Sequence, residues 1–339
     1  MKAVYLVQQG NKRVLTYGEQ QKPKPKKGEA LIRIKAAALN HLDIHLVKGI
    51  LNIPLPHIPG SDVAGVIEEI NGKSNLKVGD KVVVNPSIPC KTCPRCKKGL
   101  SCEIVIIFGY KTPGGFAEYV TAPIEQVYPK PKNLSFTEAA AFPLTFLTAY
   151  HMLIGRANLK KDETVFIWGA SGGLGSAAIQ IAKYLGATII AAVSSEKDAK
   201  RIKAMGANHV VNYTKEDVIA IVNKLTKGKK VDVVFESVGV KTWNITLSIL
   251  RPHGRVVIAG TTSGAVVSQD LSDIYYYQHT ILGSRMGTKE EFEQILKLVN
   301  EGKLKPIIDT VFPLKDAVKA LRRLKESKQT GKIILELGK

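Results

Sequence analysis

The sequence predicts an α/β protein with two domains, a β-rich first part followed by a doubly wound parallel sheet. Three observations predict it. Short apolar runs alternate with turn residues over the first 130 positions. Beyond about residue 160, buried strands alternate with helical patterns. A glycine-rich turn sits where the first of those strands meets its helix.

The elements follow in order. Met1-Lys2-Ala3-Val4-Tyr5-Leu6-Val7 reads as a first strand. It is too soon interrupted by Gln8-Gln9 to be a secretory signal. Ala30-Leu31-Ile32-Arg33-Ile34 and Gly79-Asp80-Lys81-Val82-Val83-Val84-Asn85 are further apolar runs set among turn signals, and Pro23, Pro25, Pro54, Pro56 and Pro59 punctuate loops. Residues 134–155 turn helical, opened by Ser135-Phe136-Thr137-Glu138. Then come strand 164–168, helix 176–185, strand 188–193, helix 197–205, strand 209–211, a helix near 217–225, and strands 231–235 and 255–259. Such alternation implies a parallel sheet covered on both faces. Helices near 289–300 and 315–327 and a last strand at Lys332-Ile333-Ile334-Leu335 complete the chain.

Composition narrows the function classes. The 339 residues are 45% hydrophobic and 23% charged, ordinary for a globular protein, and no run of about 18 apolar residues predicts a membrane span. A cytoplasmic location is expected. The net charge of +20 could attract polyanions, but the lysines are spread and form no block. We read a solvated basic surface serving an anionic cofactor rather than a nucleic-acid partner, with secondary polyanion binding as the alternative. A Lys-rich composition also fits a heat-adapted source, although Glu is not enriched with it.

The strongest motif is Gly169-Ala170-Ser171-Gly172-Gly173-Leu174-Gly175, which follows a strand and opens a helix. That context marks a dinucleotide cradle of the Rossmann type, with Ala170 in place of the first glycine. Gly172 lets the backbone approach a pyrophosphate, Gly175 lets helix and strand pack, and Ser171, Gly173 and Leu174 line the turn. An NAD-preferring site carries an acid at the end of the next strand. Here Ser194 stands there, with Ser195, Lys197, Lys200 and Arg201 nearby, which favours NADP(H) over NAD(H). Val238, Gly260 and Thr261 lie at the carboxyl ends of later strands, where ligands bind in such sheets. The four cysteines, Cys90, Cys93, Cys96 and Cys102, fall within thirteen residues. Disulfides across such short loops would be strained, so one Zn²⁺ with four thiolates explains them better.

With these motifs the chain resembles the medium-chain dehydrogenase/reductase superfamily, the zinc alcohol dehydrogenases and quinone oxidoreductases. Matching segments are Ala38-Leu39-Asn40-His41-Leu42-Asp43, Ile58-Pro59-Gly60-Ser61-Asp62-Val63-Ala64-Gly65, Val78-Gly79-Asp80-Lys81-Val82, Gly114-Gly115-Phe116-Ala117-Glu118-Tyr119, Thr148-Ala149-Tyr150 and Thr330-Gly331-Lys332-Ile333. The resemblance implies a GroES-like β-rich catalytic domain at 1–145 and 285–339, with a Rossmann domain at 146–284. It implies Thr148 and Lys332 as cofactor-binding residues. It also implies that the cysteines form a structural zinc lobe, although the step from Cys96 to Cys102 is about two residues shorter than usual. Around Asp273-Ile274-Tyr275-Tyr276-Tyr277 and Ile281-Leu282-Gly283-Ser284 it implies an edge strand that pairs across a homodimer or homotetramer two-fold, the tyrosines reading as that interface or, alternatively, as substrate-cleft walls.

The catalytic zinc of the superfamily fares differently. Its usual ligand positions hold Asn40, Ser61-Asp62 and Leu144 here, a poor set for zinc. Zinc-free members resemble quinone and enone reductases, which implies NADPH-dependent reduction of an activated C=C, a quinone or a carbonyl in a small-molecule substrate. Asn40 is then the expected donor or ribose contact, and His41, Asp43 and Tyr150 are candidate donors or proton relays. Two other readings stay open. One is an alcohol dehydrogenase with a metal site rebuilt from Asp62 and His41, His45 or His57. The other is a non-enzymatic dinucleotide-binding protein that holds nucleic acid.

Overall fold

The computed structural model describes residues 1–98 and 102–338. The chain divides into two compact units, Met1–Leu144 with Thr288–Lys339, and Thr145–Gly287.

The second unit is a six-stranded parallel sheet. Its strands lie in the spatial order His209–Asn212, Thr188–Val193, Thr164–Ile167, Val231–Glu236, Leu250–Ile258, Thr280–Gly283. Numbered along the chain this is 3-2-1-4-5-6, the dinucleotide-binding order, with its switch point between Thr164–Ile167 and Val231–Glu236. The central strands are buried on both faces, as near-continuous apolar runs require: Phe166, Ile190, Val234 and Val256 are inaccessible or nearly so. Each such side chain contributes about 1.5–3 kcal/mol. Helix Gly173–Leu185 stops at Gly186 and helix Glu196–Met205 at Gly206, both left-handed, the usual glycine stop.

The first unit holds a seven-stranded mixed sheet. Ile308–Pro313, Lys332–Glu336, Glu29–Ala38, Asp62–Asn71, Lys81–Val84 and Val127–Pro129 lie side by side, and Tyr119–Pro123 also pairs with Glu29–Ala38. The strand at the end of the chain thus joins the first third of it. Ala38 is the meeting point: it faces Ile334 on one side and Asp62 on the other. Phe108, Phe116, Ile32 and Leu335 are fully buried in its core.

Some expected bounds shift. The helical stretch at 134–155 is three pieces, Phe136–Ala140, Pro143–Tyr150 and a π-helical turn His151–Arg156. Pro143 has no N–H to continue the first helix and opens the second instead. The expected helix at 315–327 is a 3-10 turn, Leu314–Asp316, followed by helix Ala317–Lys325. Asp273, Ile274 and the tyrosines 275 and 276 lie on a helix, Leu271–Tyr276, and the edge strand is Thr280–Gly283.

Candidate active site and metal centre

The turn at 169–175 is built from backbone. Gly169 has φ of +63°, a left-handed conformation that costs glycine nothing. Gly172 caps helix Gly173–Leu185, and no side chain closes that end. Its first N–H groups are left for an anion, with the helix dipole behind them. The two glycines are bare for different reasons. A Cβ on Gly175 would lie 2.3 Å from the Gly169 carbonyl oxygen and 2.6 Å from Ala170 Cα, so the fold itself needs that glycine. A Cβ on Gly172 would meet only the Gly169 oxygen, at an ordinary 3.5 Å, with φ of −71°. Nothing in the protein requires its bareness, so that bareness suits a ligand.

Ser171, Gly173 and Leu174 are half-buried along this turn, and Ser194 is exposed at the end of strand Thr188–Val193. Ser195 caps helix Glu196–Met205 and accepts from the Asp198 N–H, while Lys197, Lys200 and Arg201 are exposed. Glu196, the acid nearest Ser194, is drawn to Asn212 Nδ2 at 3.2 Å and Lys215 at 3.5 Å. Val238, Gly260 and Thr261 follow their strands as expected.

Glu236 falls in the segment Phe235-Glu236-Ser237-Val238-Gly239 expected at the cofactor, but its part in holding that loop together is not foreseeable from sequence. It is fully buried, and its carboxylate accepts from the N–H groups of Val238 and Gly239 and the hydroxyls of Thr242 and Thr246. Thr246 in turn accepts from the Trp168 indole at 2.8 Å. This network ties the loop carrying Val238 to the strand before the glycine turn. An acid directly after the apolar Val233-Val234-Phe235 was the available signal.

In the first unit the converging strand ends gather a buried polar cluster. The Lys332 ammonium donates to Asn40 Oδ1 at 2.5 Å and Asp62 Oδ2 at 2.9 Å, and Asn40 Nδ2 donates to the same Asp62 oxygen at 2.9 Å. The other Asp62 oxygen accepts from the Leu144 N–H at 2.7 Å. The Lys332 and Asp62 side chains are 5% and 0% exposed, so this is an interior ion pair. Asp43 Oδ2 accepts from the Asn40 N–H at 2.7 Å, while Asp43 Oδ1 and Ser61 Oγ are buried with no partner. Burial pushes the Asp43 carboxyl up to about 7, against the pull of the Asn40 N–H and Lys332. Burial, reinforced by His45, Lys332 and Lys48, pushes His41 down to about 4, so its imidazole is neutral at pH 7.

Of the expected catalytic residues, the structure brings Asn40 and Asp43 together and adds Lys332, expected at the cofactor. His41 follows Asn40 on helix His41–Val47. Thr148, which is buried, and Tyr150 lie on helix Pro143–Tyr150 in the other unit.

The positions that hold the catalytic zinc in zinc members carry a different donor set here. Asn40, Asp62 and Leu144 are hydrogen-bonded neighbours here, with an ammonium among them. One carboxylate, an amide and a fixed cation do not suit zinc. His57 bonds the Gly109 carbonyl at 3.0 Å. Among the described residues, only the cysteines form a group of three or more His, Cys, Asp or Glu donors close enough for one ion, so no site rebuilt from Asp62 and a histidine is gathered.

The cysteines do fit. Their four sulfurs lie within 4.8 Å of one another, and tetrahedral thiolates on zinc sit roughly 3.8 Å apart. The N–H groups of Cys90, Cys93 and Cys96 point at the sulfurs of Cys102, Cys90 and Cys93. All four are free thiols with no open coordination position left over, the arrangement of a structural site.

Fold and turn together define a nicotinamide-dependent oxidoreductase built on a Rossmann sheet and a GroES-like unit. The comparisons name its family. Residues 26–132 match the alcohol dehydrogenase GroES-like domain and 173–301 the zinc-binding dehydrogenase domain. A quinone oxidoreductase from Pongo abelii is 32% identical, covering 93% of this chain and 91% of that protein. The crystal structure of an NAD-dependent alcohol dehydrogenase matches with a TM-score of 0.95 and 40% identity over the whole of both chains. The 2-octenoyl-CoA carboxylase reductase CinF, solved with NADP and 2-octenoyl-CoA, matches at 0.88 and 30% identity, covering 95% of this chain and 82% of that one. The chain belongs to the medium-chain dehydrogenase/reductases and is an oxidoreductase.

Proposed function

We propose that the enzyme uses NADPH to reduce an activated C=C or a quinone, without a catalytic zinc. The observation that carries this reading is the Lys332 ammonium held by Asn40 and Asp62 at the positions where zinc members keep their metal. Without a Lewis acid, an isolated alcohol or carbonyl is poorly activated. A conjugated acceptor is already electrophilic, and its developing oxyanion needs only hydrogen-bond donors. The nicotinamide supplies the hydride. Ser171, Gly172, Gly173 and Leu174 bind its pyrophosphate, Thr148, Val238, Gly260 and Thr261 its nicotinamide half, and Asn40 is the donor to substrate. His41, Asp43 and Tyr150 serve the proton. Ser194, Ser195 and Lys197 receive the 2′-phosphate; the exposed Ser194 and the diversion of Glu196 to Asn212 and Lys215 support NADPH over NADH. Cys90, Cys93, Cys96 and Cys102 hold one structural zinc.

Alcohol–aldehyde interconversion with a second metal is the other reading, favoured by the 40% identical alcohol dehydrogenase structure. Metal content and turnover separate the two. One zinc per subunit, with chelator-resistant NADPH oxidation on 2-cyclohexenone or 1,4-benzoquinone, is expected. Two zincs and alcohol oxidation abolished by chelator while the fold survives would sink the proposal.

We further propose a homodimer through edge strand Thr280–Gly283. Leu271, Tyr275 and Tyr276 on the preceding helix are 71–75% exposed, and Ile281 on the strand is 39% exposed. Light scattering at one-subunit mass would refute it.

A further inference from the structure

Segments remote in sequence place an ammonium, an amide and a carboxylate in one buried hydrogen-bonded unit. Lysine offers only donors and an ionised carboxylate only acceptors. The orientation of the Asn40 amide between them is therefore forced, Oδ1 toward Lys332 and Nδ2 toward Asp62. One amide N–H is spent on Asp62; the other is not committed to any hydrogen bond seen among the described residues. Donation from an ammonium to the amide oxygen draws electron density off the nitrogen and strengthens that remaining N–H as a donor.

We propose that Lys332 is a positioning residue for the reduction: through Asn40 its ammonium does electrostatically what the catalytic ion does in zinc members, fixing and polarising the amide that meets the substrate oxygen. This rests on the zinc-free reading above. When a hydride bonds to the β-carbon of an enone, the C=C pair shifts to form the enolate double bond. The carbonyl π pair moves onto oxygen, where the Asn40 N–H stabilises it, and a proton that comes from solvent by way of the relay assigned above to His41, Asp43 and Tyr150 completes the α-carbon as the carbonyl re-forms. The cofactor contact implied for Lys332 by resemblance would instead require this side chain to leave an interior ion pair.

The test uses the full chain with its zinc, with 2-cyclohexenone or 1,4-benzoquinone as acceptor. Lys332→Met alone would strand Asp62 as a buried charge, so the informative variant is Lys332→Met with Asp62→Asn, which keeps the cluster neutral. That double variant is expected to bind NADPH, by fluorescence titration, within about twofold of wild type, with KM little changed. Its kcat is expected to fall roughly 10–100-fold, the usual cost of losing a group that orients an active donor. Lys332→Arg, which keeps the charge, should lose less than about tenfold. Wild-type kcat in the neutral double variant overturns the proposal, because the ammonium would then only balance Asp62. An NADPH Kd raised about tenfold or more with kcat retained also overturns it, assigning Lys332 to the cofactor. The zinc-free reading fails on a separate measurement, a second chelator-removable ion in the wild-type enzyme whose loss stops turnover, whatever the variants do.

Discussion

The glycine turn and the Lys332 cluster are built on opposite plans. The turn is seven consecutive residues whose work is done by backbone N–H groups and by missing side chains. The cluster is made of side chains from three segments and one backbone N–H from a fourth, with Lys332 and Asp62 270 positions apart. A contiguous backbone device tolerates change wherever nothing packs against it. A side-chain cluster sealed from water tolerates almost none, because each member leaves a partner stranded.

Four substitutions would break or sharpen that contrast. The largest effect is expected from Lys332→Met alone, which leaves the Asp62 carboxylate uncompensated in the interior. Loss of a buried partner costs about 3–5 kcal/mol, to be read from urea unfolding; a loss under about 1 kcal/mol would mean water reaches Asp62. Next is Gly175→Ala, whose new methyl collides with the Gly169 carbonyl oxygen. It should cost about 1–3 kcal/mol, measured in the same way. Gly172→Ala has room and a compatible backbone, so the melting temperature should stay within about 2 °C of wild type while NADPH binding weakens at least about tenfold. If stability falls and binding does not, the two glycines have been assigned the wrong tasks.

The smallest effect concerns pH. Asp43 keeps its proton to about pH 7 in the folded chain, so its contribution to stability is full below about 4 and lost as pH rises through about 7. His41, lowered to about 4, works in the other sense: its contribution is full above about 6.5 and lost as pH falls through about 4. The two slopes oppose each other in the wild-type chain. Asp43→Asn leaves only the His41 slope, so thermal stability should climb more steeply between pH 4.5 and 6.5 than in wild type. Parallel melting profiles would show that Asp43 titrates as an ordinary carboxylate.

The same contrast explains what could be read from sequence. The strand, turn and helix around Gly169–Gly175 announce themselves because local order and local spacing are the device. The four cysteines are equally local, bunched within thirteen residues. Asn40 and Asp62 were recognisable only as departures from a metal-binding pattern. That Lys332 lies beside them depends on register: Ile334 faces Ala38, and Ala38 faces Asp62, a fact of sheet pairing that no window of sequence contains. The role of Glu236 was unreadable because its partners, Thr242, Thr246 and two loop N–H groups, appear only once the loop has folded back. The break at Pro143 was visible in the sequence, yet apolar periodicity on both sides of it masked the change of helix.

The placement of Lys332–Glu336 beside Glu29–Ala38 has a consequence for biosynthesis. At about 5–20 residues per second a ribosome needs roughly 14–54 s to travel from Asp62 to Lys332. Throughout that interval the first part of the GroES-like unit carries Asp62 without Lys332, while the nucleotide-binding unit, Thr145–Gly287, is itself being made. Strand Lys332–Glu336 therefore brings, in one late step, both the pairing partner of Glu29–Ala38 and the cation for Asp62.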